Sequence, residues 1–189
     1  DLYWTIAQGK PIGTRHVASL ALTVRHERID PQFATIAASL QSDVLRNTAQ
    51  LAGSIGPIQV QLAYARLEDN LDAIQTILTT YTRRTDALVA APLSELFGPA
   101  SIAAWLPTVS WNFNRVHQFG AGVPPDSGFN ASHVPDQQSD RHSLAADWRG
   151  AKWTVGIRHD YSLQDNRQLG RERADFKTQV NAIAATYSP

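Results

Sequence analysis

Six histidines, His16, His26, His117, His133, His142 and His159, are the side chains here that could bind a metal or carry protons near neutral pH. None stands in a His-x-x-x-His or His-Glu-x-x-His pair, and no cysteine completes a thiolate site, so the spacing yields no zinc centre. Asp126, Asp136 and Asp140 fall in one turn-rich stretch and could offer oxygen ligands to Ca²⁺. They match no calcium-loop spacing and read as solvated turn residues. His142-Ser143 and Ser188 supply hydroxyls, but without the Gly-x-Ser-x-Gly elbow that presents a nucleophile. Gly9-Lys10-Pro11-Ile12-Gly13-Thr14 carries the residues of a phosphate loop in the wrong order and reads as a turn. No cofactor and no catalysis are expected.

The charges say more by their placement than by their sum. Acidic and basic residues number 17 each, so the balance lacks the basic excess of a dedicated nucleic-acid binder, and no nucleic-acid partner is expected. With 43% hydrophobic and 18% charged residues the chain is rich enough in apolar surface to fold. No apolar run approaches the roughly 18 residues of a spanning helix. The opening Asp1-Leu2-Tyr3-Trp4 has neither a basic nor an apolar leader segment. The last residues, Tyr187-Ser188-Pro189, follow directly on a strand-like run. Both ends are read as cuts through a larger protein, with residues 1–189 forming a single β-barrel domain or a sector of one.

The elements that must position these groups are strands. Apolar and polar residues alternate with period two in segment after segment, and in a strand this sends them to opposite faces. From Lys152 to Tyr161, the residues Trp153, Val155, Ile157, His159 and Tyr161 fall on one face, opposite Thr154, Arg158 and Asp160. Leu20, Leu22 and Val24 alternate with Thr23 and Arg25; Ile58, Val60, Leu62 and Tyr64 alternate with Gln59 and Gln61. Trp105, Val109, Trp111 and Phe113 alternate with Thr108, Ser110, Asn112 and Asn114. Phe176, Thr178, Val180, Ala182 and Ala184 oppose Asp175, Lys177, Gln179 and Asn181. The stretch from Ile77 to Ala91, broken by Arg83, Arg84 and Asp86, defines no face by itself. The pattern predicts an all-β, antiparallel up-and-down meander of about nine long strands.

Turn chemistry fixes the expected register. Gly56-Pro57 as a tight turn opposes Ile55 to Ile58 and Ser54 to Gln59. Gly150-Ala151 as a type II′ turn opposes Trp148 to Trp153 and Arg149 to Lys152. A loose repeat relates Leu51–Asp72 to Leu144–Gln168: each reads strand, tight turn, strand, and then an Asp-Asn pair (Asp69-Asn70, Asp165-Asn166) that opens a polar connection. Short turns thus fall at one end of the sheet and longer connections at the other, the longest running from Gly120 to Asp140.

Alternation alone fits both a soluble β-sandwich and a membrane barrel. Segments of about 10–13 residues exceed the usual soluble strand and suit a tilted membrane strand. The alternation of short turns and long loops suits an outer-membrane barrel. Trp148 and Trp153 beside one turn, with Tyr64 and Tyr161 toward the other end, suit interfacial aromatics. On this reading Arg25, Arg158, Asp160, Asp175 and Lys177 share the lumen face, either to tune solute passage or to form an internal salt-bridge plug. His159 sits on the apolar face near the interface. The loop cluster Arg167, Arg171, Glu172 and Arg173 reads as solvated, with lipopolysaccharide as its other potential contact. The alternative is a secreted β-sandwich that uses its long loops for recognition.

The segments Arg28-Ile29-Asp30-Pro31-Gln32-Phe33, Asp69-Asn70-Leu71-Asp72 and Gln164-Asp165-Asn166-Arg167-Gln168 resemble stretches recurring in large bacterial outer-membrane β-barrels. Some of these resemble the gliding-motility and protein-secretion translocon class, and others are surface proteins. The resemblance implies a Gram-negative outer-membrane location, with membrane lipid and the remainder of a parent barrel as partners. It carries over no catalytic or binding residue. The chain departs from complete barrels in lacking a terminal strand that ends in Phe, in keeping with a piece of a larger barrel.

Overall fold

The computed structural model describes residues 1–13, 16–30, 43–97 and 105–188. They form one sheet of nine antiparallel strands, each paired with the next in sequence. The strands are β1 (Leu2–Ile12), β2 (His16–Ile29), β3 (Val44–Ile55), β4 (Ile58–Asp69) and β5 (Thr80–Pro92), then β6 (Thr108–Gly120), β7 (Asp136–Arg149), β8 (Trp153–Asn166) and β9 (Phe176–Tyr187). The predicted up-and-down meander is the observed fold. β1 and β9 do not pair with each other, so the sheet is open. Gly9-Lys10-Pro11-Ile12, read from sequence as part of a turn, instead forms the end of β1, where the ladder to β2 carries a register shift between Ala7 and Lys10. Thr14 and the Pro31-Gln32-Phe33 part of the first resembling motif lie outside the described residues.

The strands run from 11 residues in β1 to 14 in β2, β7 and β8. Loop lengths alternate as expected, with one exception. The β5–β6 connection lies at the short-turn end yet runs from residue 93 to 107. It carries a single helical turn, α1 (Leu93–Phe97), and is tied across its base where the Leu93 amide donates to the Pro107 carbonyl at 3.1 Å. Trp105 belongs to this connection and not to a strand. At the other end the stretch from Gly120 to Asp140 is shorter as a loop than its composition suggests. β6 continues to Gly120 and β7 begins at Asp136, so Asp136 and Asp140 are strand residues.

Of the two tight turns, the first holds and the second shifts. Ile55 opposes Ile58 and Ser54 opposes Gln59, with Gly56 at φ +60°. In the second hairpin Trp148 opposes Val155 and Arg149 opposes Thr154, and the Gly150 amide donates to the Trp153 carbonyl at 2.8 Å. The turn is therefore centred on Ala151-Lys152, one residue beyond the expected Gly150-Ala151. In this register Gly150 faces Trp153, whose indole packs onto it. The ring lies so close that a Cβ at Gly150 would come within 2.3 Å of the ring nitrogen. This glycine is needed for close approach and not for a positive φ. Because the partner shift is an even number of residues, both tryptophans stay on one face, whereas an odd shift would have inverted the strand.

The Asp-Asn repeat proves structural. Asn70 and Asn166 are the buried polar residues among those described. The Asn70 amide donates to the Ile74 and Ile77 carbonyls at 3.1 and 3.0 Å and to Thr79 Oγ1 at 2.9 Å, and its oxygen accepts from the Ile74 amide at 2.8 Å. Asn166 accepts from the Gln168 amide at 3.2 Å, while its own amide donates to Asp175 at 2.7 Å. Each asparagine satisfies backbone groups that leave the ladder as a strand ends.

Among the described residues no second layer covers this sheet. Buried apolar residues are limited to Ala18, Val44 and Ala87, and no large side chain is fully enclosed among the described residues. The chain exposes 12908 Å², where a folded monomer of 20.8 kDa is expected to expose about 8,900 Å². A sandwich needs two sheets, and the described residues contain one. Replacing Asn70 with Ala should loosen the β4–β5 connection, at a cost of about 2–4 kcal/mol for several lost hydrogen bonds at a buried site. Hydrogen exchange at the Ile74 and Ile77 amides reads this directly, and unchanged protection would show that Asn70 does not organise the loop.

Candidate functional site: the two faces of the sheet

Cross-strand register sorts the side chains into two surfaces. One row of the apolar face, followed from strand to strand, runs Leu22, Leu51, Leu62, Ala87, Phe113, His142 and Tyr161. Nearer the short turns come Val60, Val89, Trp111 and Leu144, with Ile157 beyond them on β8. These are large apolar groups left open: Leu62, Tyr64, Trp111, Leu144, Trp153 and Ile157 are all exposed. Each such side chain left in water forgoes about 1.5–3 kcal/mol of burial.

The opposite face is polar and carries the charges in its middle. Arg84 donates to Asp86 at 2.8 Å, and Asn114 donates to the same carboxylate at 2.7 Å. Arg158 donates to Asp160 at 2.9 Å, and Ser143 sits directly opposite Asp160. Arg141, opposite Asn114, forms no salt bridge among the described residues. Arg84, Asp86, Asn112, Asn114, Arg141 and Arg158 line a recess of about 590 Å³. The ion pairs Arg84–Asp86, Arg158–Asp160 and Arg25–Glu27 each link residues two apart on a single strand. Such pairs neutralise charge locally without bridging the surface.

The predicted lumen group divides. Arg158 and Asp160 are neighbours on the polar face. Arg25 shares that face on β2, where it contacts Glu27 at 3.4 Å and Asp1 at 3.6 Å, far along the sheet from β8. Lys177 lies on the other face: it is opposite Leu163, and its ammonium sits 5.1 Å from the centre of the Tyr161 ring. Asp175 is not a wall residue at all; it precedes β9 and accepts from the Asn166 amide. β9 therefore turns Phe176, Thr178, Val180, Ala182 and Ala184 toward the polar side and Gln179, Asn181 and Ile183 toward the apolar side. Composition suggests the reverse. The register with β8, supported by a 2.6 Å contact between His159 Nδ1 and Asn181 Oδ1, overrides it. The loop cluster is open: Arg167 pairs with Asp165 at 2.7 Å. The Glu172 carboxyl is held below its usual range by its own backbone N–H and by that of Gly170.

All four predicted aromatics, Tyr64, Trp148, Trp153 and Tyr161, lie on the apolar face, the tryptophans at the short-turn end and the tyrosines toward the long connections. The expectation misses the rest of the tyrosine belt. Tyr81, Phe113 and Phe119 join it, and cations lie over the rings: Arg66 over Tyr81, Arg83 over Phe119 and Arg115 over Phe113. Arg115 is closed by Asp140 at 2.8 and 2.7 Å, and His117 meets Asp136 at 2.9 Å. The signal was available in Phe113-x-Arg115-x-His117-x-Phe119, where every second residue is aromatic or basic. His142 stacks among Trp111, Phe113 and Tyr161 on this face, while Ser143 points to the other, so the two form no nucleophile pair.

Among the described residues the fold is a single-layer antiparallel meander with both faces uncovered, one largely apolar with a charged row near the long connections and the other polar and charged. Comparisons of the chain with family models, with curated proteins and with solved structures return no match.

The reversed parity of β9 is open to a direct test, because the chain has no native cysteine. Directly opposed residues lie within disulfide reach. Leu163→Cys with Lys177→Cys should cross-link on mild oxidation, and Leu163→Cys with Thr178→Cys should not. Preferential cross-linking of the second pair would restore the parity read from composition.

Proposed function

We propose that this chain is a sector of a Gram-negative outer-membrane β-barrel that serves as a pore, translocation route or surface scaffold without catalysis. The supporting observation is the uncovered apolar face, with aromatic residues at both of its ends and no protein layer over it among the described residues. Soluble monomers rarely leave a contiguous apolar patch of more than a few hundred Å² in water, and hydrocarbon is the solvent that removes this cost. In that setting every backbone group must also be paired, which a meander achieves along its interior strands. The open edges of β1 and β9 are where strands of the parent barrel would continue the ladder. The polar face then lines an aqueous interior, with Arg84, Arg141 and Arg158 against Asp86 and Asp160 at mid-height. The mid-height ion pairs Arg84–Asp86 and Arg158–Asp160 each stay on one strand, which favours a lined passage over a plug of bridges across it.

Two measurements on the full-length polypeptide test this reading. It should require detergent or lipid to stay monodisperse, and there it should show a β-rich circular dichroism spectrum. A monodisperse, folded protein in plain buffer would overturn the membrane assignment. In planar bilayers it should conduct, and the combined Arg84→Gln, Arg141→Gln and Arg158→Gln changes should move the reversal potential in a salt gradient toward cation preference. An unchanged reversal potential would remove this cluster from the conduction path.

A further inference from the structure

One row of the apolar face carries positive charge where a sheet disfavours it. On that face Asn47, Arg66, Arg83, His117 and Gln138 are successive cross-strand partners, so Arg66 directly opposes Arg83, and Arg83 directly opposes His117. Like charges directly opposite one another destabilise a sheet. The two guanidiniums are set on aromatic rings: Arg66 lies 5.7 Å from the Tyr81 centroid and Arg83 lies 4.8 Å from that of Phe119. Glu68 reaches Arg66 only at 3.8 Å, and Arg83 forms no salt bridge among the described residues. By contrast, Arg115 on the same face is closed by a two-pronged contact with Asp140. Arg66 and Arg83 therefore keep most of their hydrogen-bond donors free at a place where their charges repel.

Their position narrows what would bind. The row borders the apolar band on the side of the long connections. Beside it on that band Leu22, Ala49, Leu51, Leu62, Tyr64 and Ala87 line a shallow recess of about 270 Å³ that is almost wholly apolar. A paired guanidinium fork next to an apolar recess suits an amphiphile with an anionic head and a hydrocarbon tail. Phosphate matches the planar forks by bidentate contact, and an acyl chain matches the recess. We infer that Arg66 and Arg83 form a binding site for the phosphate of an anionic lipid headgroup, whose acyl chain lies in the recess between β2 and β5. The inference rests on the membrane reading above. It places the anionic-lipid contact on the wall of the sheet and not in the Arg167–Arg173 loop.

The test uses the full-length polypeptide in phosphatidylcholine vesicles with and without bis-phosphorylated lipid A, followed by native mass spectrometry of the detergent-released protein. The wild type should retain lipid A. Arg66→Gln with Arg83→Gln should lower its retention by about tenfold, the loss expected for charge-assisted contacts, and Arg25→Gln on the polar face should leave it unchanged. As a folding control, the double variant should insert into phosphatidylcholine as the wild type does and melt no lower in zwitterionic detergent, since it relieves a repulsion. Millimolar inorganic phosphate should not displace the lipid; full displacement would mark a site for free phosphate and overturn the lipid assignment. Equal retention by wild type and double variant would also overturn it. Failure of the wild type to insert into either vesicle would instead overturn the membrane reading itself.

Discussion

Each strand of this protein bonds to its neighbours in sequence, and among the described residues nothing lies over the sheet that results. A single layer has no interior of its own. Its backbone is paired along the ladders, but its side chains meet whatever medium lies on either side. The consequences run through the molecule. Among the described residues burial is scarce, the buried polar residues are Asn70 and Asn166 at strand ends, and large apolar side chains stand open along one face. Within the sheet itself, stability comes from ladder hydrogen bonds and cross-strand pairs.

Register is the second constraint, because in a one-layer sheet it alone decides which medium each side chain meets. The β7–β8 hairpin shows how this is protected. Its turn lies one residue beyond the place that composition favours, so partners shift by two, and Trp148 and Trp153 keep their face. β9 shows the opposite outcome. Its alternation is clear in sequence, but the ladder to β8 turns that alternation over and sends Lys177 onto Tyr161. As an edge strand with one paired neighbour, β9 is held in place from one side only, so its composition is a weak guide to its orientation.

The apolar face is also zoned along the strands. Near the short turns it is aliphatic with tryptophan; toward the long connections it becomes tyrosine and phenylalanine beneath arginine. This zoning is what a surface needs if it passes from a hydrocarbon layer to a charged boundary. Arg83 and Arg84 illustrate it. Adjacent in sequence, they face opposite ways, one onto the Phe119 ring and the other to Asp86 on the polar side. A charge run in the middle of a strand thus serves two surfaces at once, which is why the stretch from Ile77 to Ala91 defined no face in sequence.

The sequence by itself determined the class of fold, the strand number, the first tight turn, the Asp-Asn loop openings and the face of the four marker aromatics. All of these follow from period-two alternation and local turn chemistry, which act within a few residues. Tertiary structure decided which charges share a surface. It left Arg25 far from Arg158 and Asp160, moved Lys177 to the other face and assembled Arg66, Arg83 and His117 into one row. That division has a single physical cause. Alternation fixes the two faces within a strand, but only inter-strand hydrogen bonding fixes how one strand's faces align with the next.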